Sequence, residues 1–254
     1  MQQYFLPNNQ VHDHHVLVQG DDAKHIIRVM RMAVGDEIIC VVSGRAFVCR
    51  IERMEDHKVM AEIGSSVSGT PELPNAVTIV QGIPKGEKFD TIVQKGTECG
   101  ATAFIPFNAA RSVAVWPKDR VAKKRLRLQK IAKGAAEQSH RLIIPEVAEP
   151  LGIDRLIQVG ESFTYKMVAY EETAKAGQFS ALPALLRQMR TGDSLLAVIG
   201  PEGGLTREEA GKLNESGFVL CGLGPRILRT ETAPVYLLSA VSYQLELLNS
   251  EVEN

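Results

Sequence analysis

An apolar run that ends in a glycine turn and reopens as a capped helix narrows the possible folds of this chain more than any other stretch. Leu195 to Gly200 reads LLAVIG, the Gly-rich turn Gly200-Pro201-Glu202-Gly203-Gly204 follows, and Thr206 with Glu209 forms a capping-box pattern that opens a helix. Strand, tight loop and helix N-terminus together make the unit at which α/β folds hold ligands. The helix is expected to end at Gly217. A second short apolar run, Phe218 to Cys221 (FVLC), then leads into a second loop, GLGPRILRTET, from Gly222 to Thr232. Two such loops at adjacent strand ends imply one shared pocket.

The rest of the chain fits around that unit. From Val77, strand candidates (VTIVQGI, TAFIPF, SVAVW, YKMVAY, LLAVIG, FVLC) alternate with helix candidates: KGEKFDTIVQKGTECGA, the basic segment Lys118 to His140, and a helix near Ser180 to Met189. This alternation predicts a mostly parallel sheet with helices on both faces. A final helix from about Pro234 to Asn249 carries Val235, Leu238, Val241, Leu245 and Leu248 on one stripe, with Leu237, Ala240 and Leu247 beside it. So wide an apolar surface predicts burial on two sides, as in a dimer. Residues 1 to about 70 differ in texture. Short apolar runs (HVLVQG, DEIICVVSG, AFVCRIERM, KVMAEIGSS) separated by turn residues predict a small β-barrel of a kind that handles RNA. One helical interruption, Asp22 to Met32, puts Lys24, Arg28 and Arg31 near one face. The Gly, Ser, Thr and Pro-rich stretch Ser65 to Asn75 reads as a linker, dividing the chain into domains 1–70 and 76–254.

With 29 Lys and Arg against 30 Asp and Glu, no global field draws the chain to nucleic acid, so any such binding needs a local patch. One exists. Between Arg111 and Arg141 lie ten basic residues and two acidic ones, a local charge of plus eight, and Arg111, Lys123, Lys124, Arg127 and Arg141 are candidate phosphate contacts. Cys40, Cys49, Cys99 and Cys221 sit in or beside apolar runs without a C-x-x-C pair, which reads as buried thiols of a reducing compartment. The N-terminus lacks a basic segment followed by an apolar one and no run approaches membrane-spanning length, so a soluble, cytoplasmic protein that does not engage membrane is expected.

The Gly-rich turn matches neither phosphate-binding fingerprint, and it carries an acid, Glu202, where a phosphate loop needs backbone N–H groups and positive charge. A carboxylate beside close-approaching backbone suits hydroxyls, amines or a cation, so a nucleoside with a positive tail fits better; a purely structural turn is the alternative. In the second loop Arg226 and Arg229 flank Ile227 and Leu228, which could sandwich a flat base while an arginine reaches a phosphate or a base carbonyl. His12, His14 and His15 lack partners at a recognised metal spacing, so no metal site is expected, and no nucleophile pattern for covalent catalysis is legible.

With GPEGGLTREE and LGPRILRTETA, preceded by KGEKFDTIVQKGTECGA and AAEQSHRLIIP, nearly the whole chain resembles the RsmE-type 16S ribosomal RNA (uracil-N3)-methyltransferases of the SPOUT superfamily. The resemblance implies an N-terminal PUA-like β-barrel, matched by HIIRVMRMAVGDEI, before a SPOUT α/β domain with a C-terminal trefoil knot that works as a homodimer. It implies S-adenosyl-L-methionine as cofactor, its adenosine held by Gly200, Pro201, Glu202, Gly203 and Gly204 and by Leu223, Gly224, Ile227 and Leu228, with Tyr170 and Glu171 as a third wall. The implied substrate is one uridine of 16S rRNA in the small ribosomal subunit, gripped by the basic segment, by Arg226 and by Lys24, Arg28 and Arg31. For the chemistry, uridine N3 loses a proton as it attacks the methyl. Arg229 is the candidate to stabilise the developing charge and Glu231 the candidate proton acceptor. Gln3 departs from the family, whose members commonly carry arginine before Tyr-Phe. The competing readings are a SPOUT enzyme for tRNA or 23S rRNA and a non-catalytic RNA-binding or ribosome-assembly factor.

Overall fold

A computed structural model describes residues 1–248, and the chain divides into two compact units, Met1–Glu72 with Ala136–Ile143, and Leu73–Ala135 with the described residues from Ile144 onward. The first unit contains β1 (Gln3–Phe5), β2 (Val11–His12), β3 (His15–Gln19), α1 (Gly20–Lys24), β4 (Glu37–Val42), β5 (Arg45–Glu55) and β6 (Lys58–Ser66). Its sheet runs β1-β4-β5-β6-β3-β2, with β1 parallel to β4 and all other pairs antiparallel. Register shifts in the long β5–β6 ladder, between Phe47 and Cys49 and between Ile51 and Arg53, bend and twist the strands. The result is a curled half-barrel around Tyr4, Val16, Val18, Ile38, Ile51 and Val59. The four apolar runs of the sequence are β3 to β6. The edge strands β1 and β2 are too short to show a period of two.

Two expectations for this unit change. The helix expected over Asp22 to Met32 is α1 followed by a wider π turn, His25–Val29, and Arg31 adopts a left-handed φ of 52° outside it, so Arg31 does not share a helical face with Lys24 and Arg28. Arg141, expected to meet RNA, is 2% exposed. Its Nε donates to Glu72 Oε2 at 3.0 Å and its Nη2 pairs with the same carboxylate, whose Oε1 accepts from the N–H of Leu142 at 2.7 Å. A buried guanidinium is tolerable only with such a partner, so Arg141 is a structural residue. Gln3 belongs to the same cluster: it is buried, and its Nε2 donates to the Arg141 carbonyl at 2.6 Å.

The second unit contains β7 (Ala76–Gly82), α2 (Lys88–Glu98), β8 (Ala103–Phe107), α3 (Lys118–Gln138, whose last turn counts with the first unit), β9 (Glu146–Val147), α4 (Ile153–Gly160), β10 (Tyr165–Ala169), α5 (Glu171–Lys175), α6 (Ala181–Gln188), β11 (Ser194–Ile199), α7 (Arg207–Glu215), β12 (Val219–Cys221) and α8 (Ala233–Ser242). All pairs in its sheet, β12-β10-β11-β7-β8-β9, are parallel. The central strands are covered on both faces, as their largely apolar sequences require. Val77, Ile79, Leu195, Ala197 and Ile199 pack with Phe89 and Ile92 of α2, Leu128 of α3, Leu185 of α6 and Leu237 of α8. The alternate positions Val80, Leu196 and Val198 pack with Leu156 of α4 and Leu213 of α7.

The expected strand SVAVW does not form. Val113 and Val115 are exposed, while Ala114 packs against the core and Trp116 is buried, its ring centroid 5.6 Å from that of Phe89. The final helix continues past α8 as a π turn, Tyr243–Leu247, and its expected end at Asn249 lies outside the described residues. Leu237, Leu238, Val241 and Leu245 are buried, whereas Tyr236, Tyr243, Leu247 and Leu248 remain exposed. The four cysteines are free, three of them buried, and no described helix is long and apolar enough to cross a membrane.

Candidate active site

Because β10, β11 and β12 are parallel neighbours, their carboxyl ends emerge at one edge of the sheet, where open α/β sheets hold ligands. The loops that follow them enclose a cavity of about 610 Å³. Every residue assigned from the sequence to a cofactor lines it: Tyr170 and Glu171 after β10, Gly200 to Gly204 after β11, and Leu223, Gly224, Ile227 and Leu228 after β12. Arg226 and Arg229 line it too. Glu231 does not; its carboxylate turns toward α2.

The turn after β11 is braced from four directions. Thr206 and Glu209 complete the expected capping box: Glu209 N–H donates to Thr206 Oγ1 at 3.1 Å and Thr206 N–H to Glu209 Oε2 at 2.9 Å. The other Glu209 oxygen accepts from Ala110 N–H at 2.7 Å. Arg111 Nη1 donates to the carbonyls of Gly203 and Leu205 at 3.1 and 3.4 Å, so this candidate RNA contact also holds the turn. Below, buried Gln81 Nε2 donates to Thr230 Oγ1 at 2.8 Å and to the Gly200 carbonyl at 3.2 Å, and Thr230 Oγ1 donates to the same carbonyl at 2.7 Å. One buried amide thus ties the two cavity loops to the end of β7. At Gly82 the turn approaches so closely that a Cβ would lie 2.4 Å from Pro201 Cδ.

The electrostatic centre is Lys88, in the first turn of α2. Its Nζ lies 3.0 Å from Glu202 Oε1 and 3.4 Å from Glu231 Oε2, and Lys85 N–H also donates to Glu202 Oε1 at 3.1 Å. Hydrogen bonding to Glu202 raises the Lys88 pKa above its ordinary value, so the group is an ammonium. Burial alone would raise the Glu202 carboxyl, but the Lys88 ammonium and the backbone N–H groups outweigh it and the pKa is lowered. Glu231 Oε2 is buried and makes no hydrogen bond among the described residues, leaving Lys88 as the cation that faces it.

Toward the mouth the cavity turns basic. Six basic side chains line it against three acidic ones, and Lys175 is already paired with Glu171 and Glu172 at 2.9 and 3.0 Å, so the unpaired balance suits a polyanion at the rim. Ile227 is 75% exposed at the tip of its loop, while Leu228 packs against the core. The interior, with apolar walls, close-approaching glycine backbone and an ionised acid, fits a nucleoside carrying a positive charge. On α3, Lys123 is exposed, Lys124 Nζ stands 5.2 Å above the Trp116 ring, and Arg127 pairs with Glu87 and Asp90. In the first unit Lys24 pairs with Asp21 at 3.6 Å and Arg28 is exposed. His15 Nε2 meets Glu52 at 3.0 Å, and no metal-ligating cluster gathers among the described residues. Lys88 and Gln81 escape a sequence reading: a lysine in KGEK looks like any solvated helix start, and a strand glutamine becomes legible only when the loops it joins are known.

A family model described as an RNA methyltransferase domain matches residues 71–242, and one described as an RNA methyltransferase PUA domain matches residues 18–64. A Bacillus subtilis (strain 168) protein named ribosomal RNA small subunit methyltransferase E is 47% identical over 99% of this chain and all of its own length. Among solved structures, one of a hypothetical protein aligns with a TM-score of 0.90 at 45% identity, covering 97% of this chain and 100% of that one. A ribosomal RNA small subunit methyltransferase E from Neisseria gonorrhoeae, bound to S-adenosyl methionine, aligns with a TM-score of 0.83 at 30% identity, covering 95% of this chain and 97% of that one.

Proposed function

Because the chain belongs to the ribosomal RNA small subunit methyltransferase E family of RNA methyltransferases, we propose that it transfers a methyl group from S-adenosyl-L-methionine to N3 of one uridine of 16S rRNA in the small ribosomal subunit. The observation that carries the reading is the cavity at the ends of three adjacent strands, where an ionised acid in a glycine turn and an exposed arginine share one small volume. When bound, S-adenosylmethionine supplies the methyl as a sulfonium electrophile. Gly200 to Gly204, Leu223, Gly224, Ile227 and Leu228 would hold its nucleoside, with Tyr170 and Glu171 as the third wall.

The chain's own side chains act on the uracil. Arg229, exposed at the cavity mouth, donates to a uracil carbonyl oxygen and stabilises the charge that develops as N3–H is lost. Glu231, two residues on, accepts that proton. Arg226, Arg111, Lys123, Lys124 and Arg127, with Lys24 and Arg28 of the 1–70 module, contact the rRNA backbone, so binding weakens with salt. The 76–254 module carries the reaction and, by family resemblance, threads its C-terminal segment as a trefoil knot. The exposed Tyr236, Tyr243, Leu247 and Leu248 support a homodimer formed through the last helix. The rRNA substrate and four free cysteines accord with a cytoplasmic enzyme.

Substituting Arg229 by alanine tests the assignment. The turnover number is expected to fall by about 100-fold, the scale of losing one charge-stabilising donor, while the calorimetric affinity for S-adenosylmethionine changes little. Turnover near that of the wild type would refute it.

A further inference from the structure

Glu231 has a problem as a proton acceptor: one of its oxygens is buried. Oε2 makes no hydrogen bond among the described residues, and the Lys88 ammonium stands 3.4 Å from it. The side chain nevertheless keeps 20% of its surface accessible, and none of that surface is at Oε2. Lys88, by contrast, lines the cavity, and its other carboxylate partner is Glu202 of the glycine turn at 3.0 Å.

We propose that Lys88 is a positioning residue for methyl transfer: its ammonium pins Oε2 of Glu231 against α2 and leaves the other carboxylate oxygen free to receive the N3 proton. This rests on the reading of Glu231 given above. The N3–H proton passes to the free carboxylate oxygen, the N3 electron pair forms the new N–C bond, the S–C bond breaks, and the pair stays on sulfur as a neutral thioether. Lys88 gains and loses nothing in this sequence. An ammonium suits the part because a short-range charge contact fixes a carboxylate without occupying both of its oxygens. The other charged groups facing the cavity are engaged elsewhere or stand at its rim. Lys175 is held by Glu171 and Glu172, Arg111 by two backbone carbonyls, and Arg207, Arg226 and Arg229 are exposed. The same lysine joins the glycine turn to the reaction loop, which couples the order of the two.

A double-mutant cycle on the full-length protein tests this, with small ribosomal subunits as methyl acceptor and S-adenosylmethionine binding measured separately by calorimetry. Lys88→Met keeps the aliphatic stem and removes the charge. It is expected to lower the turnover number about tenfold at saturating S-adenosylmethionine while the dissociation constant changes less than about threefold. Lys88→Arg restores most of the rate. In a Glu231→Gln background, Lys88→Met has no further effect, because the residue acts through the missing carboxylate. A merely structural lysine would instead weaken cofactor binding, with turnover recovered at saturation. That result, or additive losses in the double mutant, overturns the inference. If Glu231→Gln alone turns over like the wild type, it is the acceptor assignment that fails. Should Lys88→Met not fold, Lys88→Gln is taken through the same cycle with the same criteria.

Discussion

Gly82→Ala is the substitution whose consequence follows most directly from geometry. An added Cβ at this last residue of β7 would stand 2.4 Å from Pro201 Cδ, 2.5 Å from Pro201 N and 2.9 Å from the Gly200 carbonyl carbon. Non-bonded carbons rest at about 3.5–4.0 Å, so the turn must retreat by about 1 Å. No rotamer can relieve this, because the obstacles are backbone atoms and a proline ring. Overpacking costs about 1–3 kcal/mol, and rigid neighbours put this site at the upper end. For a chain of this size that corresponds to a melting temperature lower by about 4–10 °C. Retreat of the turn also displaces Gly200, whose carbonyl is bonded to Gln81 and Thr230, so the two cavity loops move together. If half of the strain is relieved by opening the cavity, S-adenosylmethionine affinity falls by about tenfold, since tenfold corresponds to about 1.4 kcal/mol. The assays are thermal unfolding and calorimetric titration of Gly82→Ala beside Gly134→Ala, an exposed position in α3 with no atom near the added Cβ. The control is expected to bind like the wild type and to melt slightly higher, as alanine replaces glycine in a helix. A Gly82→Ala protein that melts and binds like the wild type would refute the claim that the turn is clamped against β7.

Two further outcomes follow from the same braces. Glu209→Ala removes a buried carboxylate that accepts from Ala110 and Thr206 N–H groups, and is expected to cost about 2–3 kcal/mol and to lower the melting temperature by about 5–10 °C; a change below about 1 °C would contradict the bracing role. Glu202 has a lowered pKa in the folded chain, so the stability it contributes is present above its unfolded pKa and is lost as pH falls through the folded value. The melting-temperature gap between wild type and Glu202→Gln is therefore expected to be constant near neutrality and to close through the carboxylate range. The gap is small because the pair with Lys88 is partly exposed. A gap independent of pH would show that the carboxylate is unpaired.

Much of the parallel domain was legible because its signals are local. Largely apolar runs such as LLAVIG and VTIVQG became central strands, and the capping box at Thr206 and Glu209 formed with both hydrogen bonds. The cavity loops were legible for a second reason: once consecutive strands are parallel, their following loops share an edge, so residues far apart in the chain converge. What failed depended on tertiary partners. SVAVW has the alternation of a strand but finds no neighbour to pair with, and its one buried ring packs on Phe89 instead. Arg141 ended a basic run and looked like part of an electrostatic surface, yet Glu72, far away in sequence, draws it inward. The role of Glu231 was assigned by its place in RTET, which does not reveal that Lys88 stands 3.4 Å from its Oε2.

The account as a whole stands on where the methyl group goes. Purified protein is incubated with methyl-labelled S-adenosylmethionine and, in separate reactions, with small subunits, large subunits and tRNA from cells lacking the enzyme, and the labelled nucleoside is identified after digestion. Label confined to small-subunit rRNA and recovered as N3-methyluridine is the predicted result. Label in another RNA, on a ribose hydroxyl, or absent from small subunits would contradict it.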